Sequence, residues 1–241
     1  MCPSAEQLLG QLAGEPRIVP IAYHVDYFND PWVDPFSDAR FSRREMQYSV
    51  LYDRANKLDK PNYLYLTPLV MVDGRAPMVG KNDAATKARA TDAIRRALAE
   101  TPGVSIALAL PDDRDGSGAR TLEVSLAAVS PELKGREVLV VVVPFSAKTS
   151  TRVGSGELAG RTYSGRFVAR GFTVQAATVP ATGKAVATFR VTPPKGFDPK
   201  SDGLAVIVQD DATGRVHQAA TIPWARSEPA VKAKTKVKLS R

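Results

Sequence analysis

The hydrophobic pattern of this chain changes period near residue 103, and the change divides the fold it predicts. Before that point helical and strand-like stretches alternate. Gln7-Leu8-Leu9-Gly10-Gln11-Leu12 belongs to a helix running from Ser4 to Leu12, closed by Gly14 and Pro16. Ile18-Val19-Pro20-Ile21-Ala22-Tyr23 is a short apolar run of the buried-strand type, ending in the polar segment His24-Val25-Asp26-Tyr27. An aromatic, acidic, Pro-broken loop follows through Asn29 to Phe36. Ser37 or Asp38 can cap the next helix, which carries Phe41, Met46 and Tyr48 to about Tyr52. Leu69 to Val72 reads as a strand, Asp73-Gly74 as a type I′ turn and Ala76 to Val79 as the hairpin partner. Asn82 or Asp83 then opens an Ala-rich helix through Ile94 and Leu98, stopped by Pro102 and Gly103.

Beyond Gly103 the period is 2. Val104 to Leu110, Leu122 to Leu126, Val138 to Val143, Phe167 to Val179, Val186 to Val191 and Leu204 to Val208 are separated by Gly, Pro and Asp clusters. That spacing predicts an all-β, sandwich-like antiparallel domain. The chain thus divides into an α/β domain over 1–102, a β-rich domain over 103–226 and a tail over 227–241.

Composition alters this picture in only two places. The net charge of +8 is concentrated at the end, where Lys232, Lys234, Lys236, Lys238 and Arg241 crowd the last ten residues. Such an alternation behind Pro229 reads as a solvated, disordered end. It carries no aromatic interleaving or recognition signature, so nucleic acid is not an expected partner. The single cysteine, Cys2, excludes an internal disulfide and a cysteine-rich zinc site, and no metal or cofactor is expected. No stretch approaches the roughly 20 apolar residues of a membrane span. The first residues lack the basic and apolar regions of a leader.

Candidate chemistry gathers in the first seventy residues. Cys2 sits at the first turn of the first helix, where exposed N–H groups and the helix dipole favour thiolate. His24 and Asp26 lie where a strand leaves the sheet, and a His and a carboxylate there could exchange protons with a thiol. The alternative is a structural loop histidine and a turn-capping aspartate. Asp30 and Asp34 could join Asp26 around a cation, although aspartates without fixed spacing more often form turns. Tyr27, Phe28, Trp32 and Phe36 read as packing for the loop. Gly154-Ser155-Gly156 lacks the Gly-Lys-Ser/Thr of a phosphate loop, and no Gly-x-Ser-x-Gly elbow accompanies His24 or His217. Arg161 and Arg166 could form an anion site, with surface pairing the alternative.

The order helix, strand, helix, strand, strand, helix is similar to a thioredoxin fold whose first strand is missing. Leu66-Thr67-Pro68-Leu69 resembles the Thr-Pro pair that precedes the third strand of such proteins, which implies a cis-proline at Pro68. Five segments occur in order: Cys2-Pro3-Ser4-Ala5-Glu6, His24-Val25-Asp26-Tyr27-Phe28, Trp32-Val33-Asp34-Pro35-Phe36, Tyr65 to Gly74, and Gly156-Glu157-Leu158-Ala159-Gly160-Arg161-Thr162. Together they resemble an uncharacterised, usually secreted bacterial thioredoxin-like family, domain of unknown function 1223. Gln209-Asp210 and Thr213-Gly214-Arg215 extend the resemblance toward Trp224.

Members of that family carry a leader, a strand and Cys-x-x-Cys-Pro-x-Ala-Asp. Here the motif is cut between its cysteines, Glu6 stands for Asp, and Cys2 matches the second, resolving cysteine. The resemblance implies thiol–disulfide exchange with an unidentified protein partner in a full-length form that begins upstream of Met1. It implies inactivity in dithiol turnover for the chain as it stands, since one thiol cannot resolve a mixed disulfide. The alternative is a non-enzymatic binding or structural protein on the same scaffold. A leader would place the protein in the periplasm or beyond; if Met1 is the true start it is cytoplasmic.

Overall fold

Six apolar residues in succession, Val138 to Val143, need apolar surroundings on both faces of a strand. A computed structural model describing residues 3–12, 14–60, 64–79, 84–156 and 158–225 shows how they obtain them. Its N-terminal elements are α1 (Pro3–Leu12), α2 (Ala39–Ala55), β1 (Leu69–Val72), β2 (Ala76–Val79) and α3 (Ala84–Ala99). The strands that follow are β3 (Val104–Ala109), β4 (Arg120–Ala128), β5 (Glu137–Arg152), β6 (Thr162–Ala169) and β7 (Thr173–Thr178). Then come β8 (Ala185–Val191), β9 (Gly203–Gln209) and β10 (Val216–Pro223). The fold is mostly β, with few helices and several antiparallel sheets.

One sheet has five strands, ordered β10-β9-β5-β6 with β7 also on β5; a second, of three strands, is ordered β3-β4-β8. They face each other across a core that holds Val138, Val140 and Val142 of β5 with Leu122, Val124 and Leu126 of β4. The opposite face of β5 presents Val141, Val143 and Phe145 to Phe41 of α2 and to the extended segment at Val19 and Ile21. Alternate residues of a single strand therefore enter two different cores. A third, smaller cluster joins Met78 of β2 to Ala90 and Ala93 of α3, with Leu8 of α1 against it.

Local signals account for the element ends. Asp38 caps α2, its Oδ1 accepting the Arg40 N–H at 2.8 Å. Asp73 and Gly74 both adopt positive φ, 48° and 67°, in the three-residue connection Asp73 to Arg75 between β1 and β2, closed by the Arg75 N–H on the Val72 carbonyl at 3.1 Å. Gly74 also approaches a second turn: a Cβ there would meet the Gly214 carbonyl oxygen at 1.9 Å. Beside it the Asp73 carbonyl accepts the Val216 N–H at 2.9 Å, so this turn fastens the β1–β2 hairpin to the start of β10. Gly74→Ala is expected to destabilise the protein by at least about 2 kcal/mol, a thermal midpoint lower by at least ~4 °C in a calorimetric scan.

Three sequence expectations are altered. The apolar run at Ile18 to Tyr23 is extended but forms no strand, because only Ala22 finds a neighbour, in a parallel bridge to Val168. The stretch from Phe167 to Val179 is two strands; Gly171, at φ 134°, turns the chain between β6 and β7, and both pair with β5. Residues 216–223 add a last strand, β10, on the edge of the large sheet. The helix-capping residues Asn82 and Asp83, the tail over 227–241, and Cys2 lie outside the described residues. Among the described residues no helix is long and apolar enough to cross a membrane.

Candidate functional site

The extended segment leaves β6 at Ala22 and delivers His24 to the head of α1. The loop behind it is knit by its own polar residues: Asn29 accepts the Asp34 N–H at 3.1 Å and donates from Nδ2 to Ser37 Oγ at 2.8 Å. The Phe36 N–H holds Asp34 Oδ1 at 2.9 Å, leaving Oδ2 to meet His24 Nδ1 at 2.8 Å. On the other side of the ring, His24 Nε2 lies 3.5 Å from Glu6 Oε1. The second oxygen of Glu6 accepts the Arg166 N–H at 3.1 Å, tying α1 to β6. Phe36 stands edge-on to the imidazole.

This buried imidazole has a carboxylate at each nitrogen. Burial opposes its charge, but the hydrogen bonds and charges of Asp34 and Glu6 prevail and raise its pKa to about 9. Asp34 is held below the usual carboxylate range: burial acts against that, and the hydrogen bond and charge of His24 with the Phe36 N–H outweigh it. The raised pKa favours the imidazolium at neutral pH, with Nδ1 donating to Asp34 at 2.8 Å and Nε2 facing Glu6 at 3.5 Å. Proton exchange near pH 7, the role an ordinary histidine would fill, moves to the alkaline side.

Asp26 does not share that network. It accepts the Ser42 hydroxyl of α2, and Ser42 Oγ in turn accepts the Asp26 N–H at 3.1 Å. Asp26, Asp30 and Asp34 are not gathered: among the described residues no three His, Cys, Asp or Glu side chains are placed to hold a metal. The Thr67–Pro68 peptide is cis, as is Asp30–Pro31. Trp32 packs on Gly154, and Ser155 Oγ donates to the Pro31 carbonyl at 3.2 Å, so the glycine-rich loop supports the aromatic loop. Arg166 lines a small cleft with Glu6 and Gln7 that Arg161 does not enter.

Glu6, His24, Asp34 and Pro68 all line one cavity of about 1900 Å³. Its walls are the extended segment, β1, the inner faces of α1 and α3, and β10. Two of its residues were not among the sequence candidates. Glu45 accepts the Tyr27 hydroxyl at 3.1 Å and the Leu66 N–H at 3.2 Å beside the cis peptide, and burial raises its pKa. Arg44, 6 % exposed, lies over the rings of Tyr23 and Tyr48 and donates to Gln209 Oε1 at 2.9 Å. Only the spacing of Phe41, Glu45 and Ser49 along one helical face hinted that a polar residue turned inward.

Comparison with solved structures finds HBP35 of Porphyromonas gingivalis at a TM-score of 0.52 and 15% identity. The match covers 83% of this chain and 63% of that one, so the chain spans under two thirds of its length, and the likeness is one of fold. No curated protein matches the sequence. A family profile described as "Protein of unknown function (DUF1223)" matches residues 1–209.

Proposed function

We propose, for a chain that belongs to the uncharacterised family DUF1223, thiol–disulfide exchange on a thioredoxin-like scaffold. The reading rests on the His24–Glu6 contact at the first turn of α1, the helix that Cys2 immediately precedes. An imidazolium near that turn at neutral pH, with the helix dipole, favours a thiolate. The cis Thr67–Pro68 peptide on the same cavity, and the order α1, extended segment, α2, β1–β2 hairpin, α3, support the scaffold assignment. In the full-length exchange the cysteine three residues before Cys2 attacks a partner disulfide and releases one partner sulfur as thiolate; Cys2, at the resolving position, then attacks that mixed disulfide, forming the S–S bond between the two cysteines and releasing the second partner sulfur as thiolate. Cys2 alone exchanges with a disulfide once, forming one S–S bond as one breaks, and stops at the mixed disulfide. The division at residues 102 and 103, the periplasmic or secreted location and the unidentified protein partner belong to the same proposal.

With glutathione disulfide, the chain is expected to form a stoichiometric mixed disulfide at Cys2 and stop there, seen by mass spectrometry. Cys2 is expected to react with iodoacetamide at pH 7 several-fold faster than free cysteine, and His24→Gln to remove most of that advantage. An extended chain with a cysteine three residues upstream is expected to reduce insulin, and the same chain with Cys2→Ser to fail. Inactivity of a well-folded extended chain favours the second reading, a non-enzymatic binding protein. The 1900 Å³ cavity is the observation that speaks for it.

A further inference from the structure

Each member of the Glu6–His24–Asp34 triad is tied to the end of β6. Arg166 gives its N–H to Glu6 Oε2 at 3.1 Å. Val168 is bridged to Ala22, two residues before His24. The Ala22 N–H meets the Phe167 carbonyl and the Ala169 N–H meets the Ala22 carbonyl, at 2.9 Å each. Just past the strand, Arg170 lays its guanidinium over the Phe36 ring, 5.0 Å from the centroid. Phe36 stands edge-on to His24, and its N–H holds Asp34 Oδ1 at 2.9 Å. The third tie therefore runs through a side chain, and a substitution can cut it.

Arg170 is itself held from behind by the β-rich part of the chain. Its Nη1 donates to Ser146 Oγ at 2.8 Å and its Nη2 to the Lys195 carbonyl at 2.7 Å. Ser146, 3 % exposed, donates in turn to Asp202 Oδ2 at 3.0 Å. Asp202 is equally buried and fixed by the N–H groups of Ala147 at 3.0 Å and Asp198 at 2.9 Å. A guanidinium is flat, so two placed N–H groups set its plane, and here its face meets the ring. A lysine in this position would keep the charge and lose the plane.

We infer that Arg170 is a positioning residue for the Glu6–His24–Asp34 triad, clamping Phe36 so that its N–H keeps Asp34 against His24 and its ring keeps the imidazole upright. The consequence for a thiol at the head of α1 rests on the proposed exchange; the effect on His24 does not. Clamp and charge predict opposite signs. His24 is faced by Glu6 from α1 and Asp34 from the loop, with the Arg170 cation beyond Phe36. Were Arg170 only a nearby positive charge, removing it would make His24 easier to protonate. As a clamp, its removal loosens Asp34 and makes His24 harder to protonate, and lysine cannot replace it.

The experiment follows the histidine ring signals of the full chain by NMR from about pH 6 to 11, in wild type, Arg170→Lys and Arg170→Met. His24→Gln assigns the His24 signals, and His217, on β10 at the opposite edge of the sheet, is the internal control. Both Arg170 variants are expected to lower the His24 midpoint by about half a pH unit or more and to leave His217 unmoved. Should Arg170→Met fail to fold, Phe36→Leu, which keeps the backbone N–H but offers no aromatic face, is expected to lower it likewise. Alkylation of Cys2 by iodoacetamide at pH 7 is expected to slow about threefold in the same variants. Full rescue by lysine, or a raised midpoint in Arg170→Met, would overturn the clamp in favour of simple charge. An unmoved His24 in all the variants would overturn it outright. A lowered midpoint with unchanged alkylation would uphold the clamp and count against thiol exchange, so the two failures are separate results.

Discussion

Replacing Arg120 with methionine is expected to lower the midpoint of thermal unfolding by roughly 10 °C. Arg120 is wholly buried, and its guanidinium donates to three backbone carbonyls: Pro111 at 2.9 Å from Nε, and Leu110 and Trp224 from the two Nη atoms. The same group lies 5.5 Å from the ring centroid of Trp224. It thereby joins the connection after β3, its own strand β4 and the chain just past β10. Methionine fills much of the volume but leaves three acceptors without a donor. Breaking such a network is worth about 3–5 kcal/mol, which a domain of this size reports as about 2–4 °C per kcal/mol. Arg190→Met provides the contrast. Arg190 pairs with Asp113 and Asp115 at 2.9 and 2.6 Å but is 42 % exposed, and its loss is expected to shift the midpoint by no more than ~3 °C. A shift below 3 °C for Arg120→Met would mean that the three carbonyls find other partners.

The second large effect is a dependence on pH. His24 has its pKa raised from 6.5 to about 9 in the folded chain, so it stabilises the protein wherever it is protonated in both states. That contribution is fully present below about pH 6.5 and is lost as the pH rises through about 9. The displacement corresponds to roughly 3 kcal/mol. Asp34, held below its ordinary value, adds stability above pH 3.8 that disappears only as the solution becomes more acidic. The triad is therefore expected to be intact from mildly acid to neutral conditions and to fail on the alkaline side. Midpoints of the wild-type chain and of His24→Gln, measured from pH 6 to 10, are expected to differ by roughly 8 °C at the acid end and to converge near pH 10. Parallel curves would show that His24 is not charged in the folded protein.

Much of the fold is written in local pattern. The Asp73-Gly74 pair announces its hairpin because only a turn with two positive φ angles suits it. The run Val138 to Val143 announces a strand buried on both faces. Contacts between residues distant in sequence are what the pattern does not carry. Arg44 and Gln209 meet across 165 positions, and nothing in the composition of either segment marks the other. Arg120 sits in a strand with ordinary alternation, and its burial follows from a carbonyl 104 residues later. His24 was legible as a candidate because polar groups stand where an apolar run ends, but the sequence pairs it with Asp26 and offers Asp34 only as a loop aspartate for a cation. The joining of His24 to Asp34 and Glu6, rather than to Asp26, depends on where α1 is laid against β6, a matter of packing between elements.

Because successive residues of β5 are pinned in different cores, neither side of the large sheet has a strand of its own to fall back on. Loosening α2 exposes Val141 and Val143; loosening the three-stranded sheet exposes Val140 and Val142. Partial opening on either side thus weakens the one ladder that both require, and the two cores share a single free energy of opening. The amides of β5 are accordingly expected to exchange with solvent only when the whole molecule opens, with the same protection as the global stability, while those at the ends of α1 exchange far sooner.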